Sequence, residues 1–310
     1  MIVAVFGGNG FIGSHLVKRL LSEGHHVRIF DRAFAAMDEL SDTSRVTFFR
    51  GDFPTQDDFS GILEGCDVVF QLISTTLPNC PTEESISDIE GNLIPMLRLL
   101  NQMRTAGVSR LIFPSSGGTV YGQSLTTPIK ENHPTNPIVS YGATKLAIEK
   151  YLAIFQASFG LRSTCLRISN PYGPGFRFAS PQGAVGAFLH RATRDMPITI
   201  FGDGKIVRDY LYIDDLMDAM MKTIDYNGDI SLFNISSGTG TSLLELIEEI
   251  ELATGRSIEV NHMPSRSFDV KINILANRLA ASELGWSPKT TLRQGIKLTA
   301  AWLQNIQKSN

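Results

Sequence analysis

Tyr141 and Lys145 stand four residues apart in Ser140-Tyr141-Gly142-Ala143-Thr144-Lys145, which opens a helical pattern running to about Phe159. Residues at that interval share one face of a helix, so the phenol and the ammonium are neighbours. An unperturbed phenol, with a pKa of about 10, is a poor base at neutral pH, but a nearby cation favours its phenolate. Such a pair can take a proton from a hydroxyl group while hydride leaves the same carbon for an acceptor. The same spacing also suits a solvated helix pair, and a hydride acceptor held elsewhere in the chain distinguishes the two.

The first thirty-one residues supply a place for that acceptor. Ile2-Val-Ala-Val-Phe6 reads as a buried strand, Gly7-Gly-Asn-Gly10-Phe-Ile-Gly13 as a tight turn, and Ser14 to Leu21 as a helix that Gly24 closes. His26-Val-Arg-Ile-Phe30 returns as a strand, and Asp31 lies at its end, eighteen residues after Gly13. Glycines at Gly7, Gly10 and Gly13 let backbone approach a pyrophosphate, the helix N-terminus offers free N–H groups, and the acid accepts bonds from ribose hydroxyls. Plain packing at a strand-to-helix turn also selects glycine, but strand, helix and acid at the right distance favour a dinucleotide. Asp31 repels a 2′-phosphate and so prefers NAD; Arg32 beside it is a cation able to take that phosphate and keeps NADP open.

Strand and helix patterns alternate beyond this point. Arg45–Phe49, Asp67–Ile73, Arg110–Ser115 and Ser163–Ile168 read as strands; Gln56–Leu63 and about Glu90–Ala106 read as helices, the latter stopped by Gly107. Repeated strand–helix–strand units predict an α/β fold, a doubly wound parallel sheet of Rossmann type, with a smaller C-terminal α/β substrate lobe. The expected division is a dinucleotide-binding domain over 1–170, to which a strand near 231–236 returns, and a lobe made mainly of 171–310. Ligands on such sheets bind beyond the carboxyl ends of the strands, where Asp31, Asp52, Ser74, Ser115 and Ser116 fall. Asp52 either reaches the adenine or caps a turn.

Composition agrees with a globular enzyme of two lobes. The 310 residues carry 28 basic and 31 acidic side chains, a formal charge of −3, which offers neither a nucleic-acid surface nor a polybasic membrane anchor. Cys66, Cys80 and Cys165 are odd in number and scattered, as buried reduced thiols of a cytoplasmic protein would be. Met1 opens directly into a strand without the pattern of a secretory leader, no apolar run reaches transmembrane length, and no metal site is expected.

With these motifs, and with Ser115-Ser-Gly-Gly-Thr-Val-Tyr-Gly122, Asn170-Pro-Tyr-Gly-Pro174, Arg208-Asp-Tyr210 and Arg266-Ser-Phe-Asp269, the chain resembles the extended short-chain dehydrogenase/reductase family, in its nucleotide-sugar epimerase/dehydratase branch. The Gly-x-x-Gly-x-x-Gly spacing of the turn points the same way. The resemblance covers nearly the whole chain and implies roles position by position. Phe11 and Ile12 in the turn, Phe53 beside Asp52, Leu72 and Ser74 after a strand, Asn92 and Ser115 would line the cofactor, with Lys145 bonding the nicotinamide ribose. Asn170 would contact the sugar or its diphosphate. Arg208 and Arg266 would clamp the diphosphate, the alternative being ion pairs with Asp209 and Asp269. Asp269 would belong to the substrate site with Arg266. Phe201, in Ile198-Thr-Ile-Phe-Gly-Asp-Gly204, would carry the nucleotide base.

One departure stands out. Members of the family carry Ser or Thr where this chain has Gly117, so the hydroxyl that bonds the reacting sugar oxygen must come from Ser116 or Thr119, with Thr119 preferred, or from a bridging water. The acid pair that dehydratases of the family place after the Thr is missing, since Val120-Tyr121 follows Thr119, and the Glu of related decarboxylases is missing too. Transient oxidation alone remains, which implies NAD-dependent 4-epimerisation of a UDP-hexose through a 4-keto sugar. Asn273, four after Asp269, leaves room for an N-acetylated sugar as well as UDP-glucose or UDP-galactose. Arg177 either pairs with a uronic acid carboxylate, which keeps UDP-glucuronate open, or is a loop arginine facing water. A nucleotide-sugar reductase or dehydrogenase with net NAD(P)H turnover and a non-catalytic NAD-binding member of the fold are the competing classes. Relatives pair as homodimers through the helices near Glu90–Ala106 and Tyr141, and Leu93, Leu97, Leu100, Leu146 and Leu152 serve either that interface or the core.

Overall fold

Strands read from unbroken apolar runs must be covered on both faces, and β1 (Ile2–Phe6) and β4 (Val68–Gln71) are. The computed structural model describes residues 1–33, 43–78, 84–124, 126–176, 183–266 and 269–309. The chain divides into two compact units: Met1–Val120 with Pro137–Arg167 and Met220–Phe233, and Tyr121–Asn136 with Ile168–Ala219 and Asn234–Asn310.

In the first unit β1 is followed by α1 (Phe11–Ser22), β2 (His26–Asp31), β3 (Val46–Arg50), α2 (Ser60–Leu63), β4, α3 (Ser85–Asp88), a π-helical segment Ile89–Leu93, α4 (Ile94–Ala106), β5 (Arg110–Ser116), α5 (Ser140–Phe159) and β6 (Arg162–Ile168). With β10 (Leu232–Ile235) these form a seven-stranded sheet in the order β10-β6-β5-β4-β1-β2-β3. The β1·β2, β2·β3, β1·β4 and β4·β5 pairs are parallel, and the order reverses between β1 and β4. The doubly wound α/β sheet expected from the sequence is therefore present, and its switch point opens beyond Phe6 and Gln71.

The core on one face of this sheet is built around phenylalanines. Phe59 packs against Phe6, Phe30 and Phe53 with ring centroids 5.4, 5.5 and 5.7 Å apart, in edge-on or tilted arrangements that suit aromatic quadrupoles. Leu100 and Leu152 are fully buried in the same core, while Leu93 and Leu97 pack against its margin.

Two helices differ from the sequence reading. The α2 helix covers Ser60–Leu63 rather than starting at Gln56, because Gln102 Oε1 takes the Phe59 N–H at 2.6 Å and Asp58 Oδ1 takes that of Ser60 at 2.8 Å. The long helix expected from Glu90 begins as α4 at Ile94, after the π segment. Pro95 has no N–H to give the carbonyl four residues back, so the α ladder cannot extend unbroken through this point. Gly107 ends α4 in the left-handed region, with φ 74°, as its place in the sequence suggested.

The second unit adds β7 (Asn170–Tyr172), α6 (Ala184–Ala192), β8 (Ile198–Phe201), β9 (Val207–Tyr212), α7 (Ile213–Ile224), which extends into the first unit, β11 (Gly240–Ser242), α8 (Leu243–Thr254), β12 (Val260–Met263), β13 (Ile272–Asn273), α9 (Arg278–Leu284) and α10 (Leu292–Ser309). β9 is its hub, pairing with β7, β11 and β13, and β8 pairs with β12. The tail is anchored at Trp286, 2% exposed, whose indole N–H donates to Asp215 O at 2.9 Å. The Asp215 carboxylate in turn accepts the Lys289 and Thr290 N–H groups. No helix among the described residues is long and apolar enough to cross a membrane.

Phe59→Ala is expected to destabilise the chain by about 3–5 kcal/mol, because three rings lose their common neighbour. Urea unfolding measures this, and a loss below about 1 kcal/mol would show that the cluster is not the core of the unit.

Candidate active site

The glycine turn lies at the switch point. Gly7, at φ 86°, sits against the backbone of Leu72 and Ile73, and a Cβ on it would come within 3.3 Å of both. A Cβ on Gly13 would fall 2.0 Å from Gly7 O, so only glycine lets the first turn of α1 close onto β1. Gly10 caps α1 without any side-chain bond, which leaves the helix N-terminus to an anion. Asp31 ends β2 and orders the turn from the other side: Oδ2 accepts the Asn9 N–H at 3.0 Å and Oδ1 that of Arg32 at 2.7 Å. Arg32 extends toward Asp52, 3.9 Å away, in an exposed pair of little energetic weight. Phe11 packs edge-on against His15, and Phe11 and Ile12 are half-buried on the first turn of α1. Phe53 departs from the cofactor-lining reading as far as its side chain goes, being 1% exposed within the phenylalanine core. A turn residue beside an acid gave no sign of that. Leu72 is half-buried and Ser74 exposed at the end of β4.

Beyond the end of β5 lie Lys145 and Tyr141. Lys145 is 7% exposed; its Nζ donates to Pro114 O at 3.0 Å and lies 4.6 Å from the centre of the Phe113 ring and 5.6 Å from that of Tyr141. Burial pulls the ammonium down to about 8, against the opposing charges of Asp88 and Glu149, so it stays mostly protonated at neutral pH. Burial pushes the Tyr141 phenol up to about 12, a hydrogen bond with Ser74 opposes this, and the charge of Asp88 adds to it. With burial the leading cause, the ligand-free chain holds Tyr141 as a phenol at neutral pH.

The loop after β5 approaches α5 through one small residue. A Cβ on Gly142 would stand 2.7 Å from Thr119 O, so glycine there lets the loop lie against the first turn of the helix. Thr119 Oγ1 is buried and has no hydrogen-bond partner among the described residues. Ser116 supplies its backbone carbonyl to the Thr119 and Val120 N–H groups. Val120 and Tyr121, which follow Thr119 where dehydratases of the family would carry acids, are both fully buried.

Three charged residues that the sequence reading did not single out surround this pair. Ser115 Oγ donates to Glu149 Oε1 at 2.5 Å, and Arg167 grips the same carboxylate through Nε at 3.0 Å and Nη2 at 2.7 Å. Both partners of this ion pair are under 10% exposed. Asp88, 0% exposed, accepts Thr76 Oγ1 at 2.6 Å and Asn92 Nδ2 at 2.9 Å on one oxygen, and Ser140 Oγ and Thr144 Oγ1, each at 2.9 Å, on the other. Asn92 lies in the π segment, and its Oδ1 accepts the Thr75 N–H at 2.9 Å. The only sequence signals were spacings: Glu149 follows Lys145 by four, and Asp88 precedes Asn92 by four.

In the second unit Arg208 donates Nη1 to the carbonyls of Val207 and Val270, at 3.0 and 2.6 Å, and its burial lowers its pKa. It does not pair with Asp209. That carboxylate is fully buried and accepts the N–H groups of Ser237, Gly238 and Leu275 and the Ser237 hydroxyl. Arg266 does pair with Asp269, Nε to Oδ2 at 3.1 Å, and its guanidinium covers the Phe201 ring at 4.4 Å. Asn170 Nδ2 donates to Asp209 O at 2.9 Å, and Asn273 is 1% exposed. Arg177 and Cys80 lie outside the described residues.

What the first unit offers is a dinucleotide-binding α/β fold with a buried phenol and ammonium beyond the end of β5. Residues 3–236 match the model of the NAD dependent epimerase/dehydratase family, and the chain belongs to that family. It is 34% identical to the UDP-glucose 4-epimerase of the hyperthermophilic eubacterium Thermotoga maritima, whose crystal structure is with UDP-glucose; the match covers 99% of this chain and 100% of that one, with a TM-score of 0.93. The Thermus thermophilus UDP-glucose 4-epimerase, in complex with NAD, is 30% identical, with 98% and 99% coverage and a TM-score of 0.88. A dTDP-4-dehydro-6-deoxyglucose reductase of Escherichia coli is 33% identical over 302 residues, 95% of each chain. The residues present fit NAD: Gly13 lets α1 close onto the turn, the N-terminus of α1 has no side-chain cap, and the Asp31 carboxylate stands against the turn at the Asn9 N–H.

Lys145→Met is expected to stabilise the free chain by roughly 1–3 kcal/mol at about pH 7. Below a pH of about 8 both states hold the proton and the full burial penalty applies; between about 8 and 10.5 only the unfolded chain holds it, so wild-type stability rises and the advantage shrinks. Thermal melts across pH test this, and a Met variant no more stable than wild type at neutral pH would show that burial of the ammonium is not costly.

Proposed function

We propose that the chain catalyses NAD-dependent 4-epimerisation of a UDP-hexose, UDP-glucose/UDP-galactose or the N-acetylated pair, through a transient 4-keto sugar. The observation that carries this reading is the grouping of Tyr141, Lys145 and the Thr119 loop around the first turn of α5, with the buried Thr119 hydroxyl unpartnered among the described residues and Val120-Tyr121 following it instead of an acid pair. Membership of the family and the UDP-glucose 4-epimerases among its relatives support it.

NAD, held by the glycine turn and Asp31, would supply the acceptor and donor of hydride for C4 of the sugar. The remaining steps belong to this chain. Tyr141 takes the proton of the C4 hydroxyl and later gives it back. Its phenol, held up by burial, needs a cation to lower it, and Lys145, still charged at neutral pH, is the cation on its helix face. Thr119 donates its otherwise unused hydroxyl to the reacting oxygen, in place of the missing side chain at Gly117. Gly7, Gly10, Gly13, Asp31, Ser74, Asn92 and Ser115 serve the cofactor from the first unit. Asn170, Phe201, Arg208, Arg266 and Asp269 serve the nucleotide part of the substrate from the second.

A nucleotide-sugar reductase with net NAD(P)H turnover is the second reading, favoured by the E. coli reductase at 33% identity. We also assign the chain a homodimeric state, supported by exposed apolar side chains at Ile86, Ile89, Ile94, Tyr151 and Ile154 on the helices expected to pair, and a cytoplasmic setting, supported by the free thiols of Cys66 and Cys165.

Purified protein given UDP-glucose, UDP-N-acetylglucosamine or UDP-glucuronate without added cofactor is expected to yield one 4-epimer and no net reduced nicotinamide, by chromatography and absorbance. Conversion that requires supplied NAD(P)H would replace this reading with the reductase. Tyr141→Phe is expected to abolish turnover with NAD still bound. Thr119→Val is expected to lower kcat by about 10–100-fold with little change in NAD content, and an unchanged kcat would remove Thr119 from the mechanism.

A further inference from the structure

Asp88 is a full carboxylate with no access to water, and its four side-chain donors come from three separate segments. Thr76 belongs to the loop after β4, Asn92 to the π segment, and Ser140 and Thr144 to the first turn of α5. The two donors from α5 immediately precede Tyr141 and Lys145 in the chain, and being four apart they share a helix face as that pair does. Asn92 is held still more closely: its Nδ2 also reaches Asp88 O at 3.1 Å and Thr76 Oγ1 at 3.1 Å. A carboxylate with two donors on each oxygen has no bonding capacity to spare, so its position fixes theirs.

We propose that Asp88 is a positioning residue for the Tyr141–Lys145 pair, pinning the first turn of α5 to the π segment that carries Asn92. This assignment rests on the roles given above to Tyr141 and Lys145. A well-packed apolar cluster would stabilise such a buried contact at least as well as a charge does, so stability alone does not call for a carboxylate here. None of the donors to Asp88 is a cation, whereas Glu149, the other carboxylate near Lys145, is matched by Arg167. Once that ion pair has cancelled, Asp88 is the counter-charge to the Lys145 ammonium. Its field raises the proton affinity of both Lys145 and Tyr141, together with Glu149 at the lysine and against the Ser74 hydrogen bond at the phenol.

The test separates position from charge. In Asp88→Asn the negative charge is gone and two of the four donors face an amide N–H₂. Ionisation of Tyr141, read as the phenolate absorbance difference between each protein and its Tyr141→Phe counterpart, is expected to begin at lower pH than in wild type. This titration needs neither cofactor nor sugar, so it decides the role of Asp88 even if the epimerase reading fails. With substrate, the kcat plateau is expected to fall about 10–100-fold with KM and bound NAD kept, and its acid limb to move to lower pH. A variant that melts lower but titrates and turns over as wild type would reduce Asp88 to a structural residue and overturn the proposal. Should Asp88→Asn not fold, Ser140→Ala/Thr144→Val keeps the charge and removes the two α5 donors. There kcat is expected to fall at least tenfold with the phenolate titration unmoved, and wild-type kcat would overturn the proposal equally.

Discussion

Three ionised side chains have been taken out of water within two turns of α5, and the arrangement around them follows from the partners each then requires. Glu149 is met by a guanidinium and a hydroxyl, Asp88 by four neutral donors, and Lys145 by one carbonyl and the face of a phenylalanine. A buried charge left without such partners costs several kcal/mol, on the order of the whole stability of a domain. Ser115, Thr76, Asn92 and Pro114 are therefore held where they are by polar demand rather than by apolar packing. Pro114 and Ser115 end β5, Asn92 lies in the π segment, and Thr76 lies in the loop after β4, the kind of segment a fold otherwise leaves loosest.

Backbone approach is the second condition. Gly13 against Gly7 and Gly142 against Thr119 are two contacts at which a Cβ would overlap backbone, each joining a helix start to a loop at the end of a strand, and a Cβ on Gly91 would meet the Thr75 hydroxyl. Together they let the glycine turn, the hydroxyl-bearing loop and the π segment close up. The phenylalanine core beneath the sheet supplies the stability against which these tight and polar contacts can be held.

Much of this was legible in the residues. Both-face burial makes β1 and β4 continuous apolar runs, and the glycine spacing before α1 and the acid ending β2 mark the tight strand-to-helix turn. Tyr141 and Lys145 declare their shared face by their interval alone. Asp88, Glu149 and Arg167 were not legible, because a charged residue in a helical or strand pattern reads as a solvated one until the opposite wall is known. Of the second unit's arginines, the Arg266–Asp269 pair, three residues apart, stood among the alternatives the sequence offered, whereas the two carbonyls to which Arg208 turns and the Phe201 ring under Arg266 did not. Phe53 shows the same limit, since nothing in Asp52-Phe53-Pro54 tells which side of the turn faces the core.

The π segment at Ile89–Leu93 bears on how this sequence can change over time. A π turn holds one more residue than the α turn it replaces, and each residue in a helix accounts for about 100° of rotation. Deleting one residue there would restore an ordinary α turn but swing Asp88 about a quarter of the way round the axis relative to α4. An insertion would swing it by the same amount the other way. Substitutions along this stretch can be absorbed one side chain at a time, whereas its length cannot drift. The segment is a counted interval, and among descendants of this chain its residue number should be inherited more faithfully than its residue types.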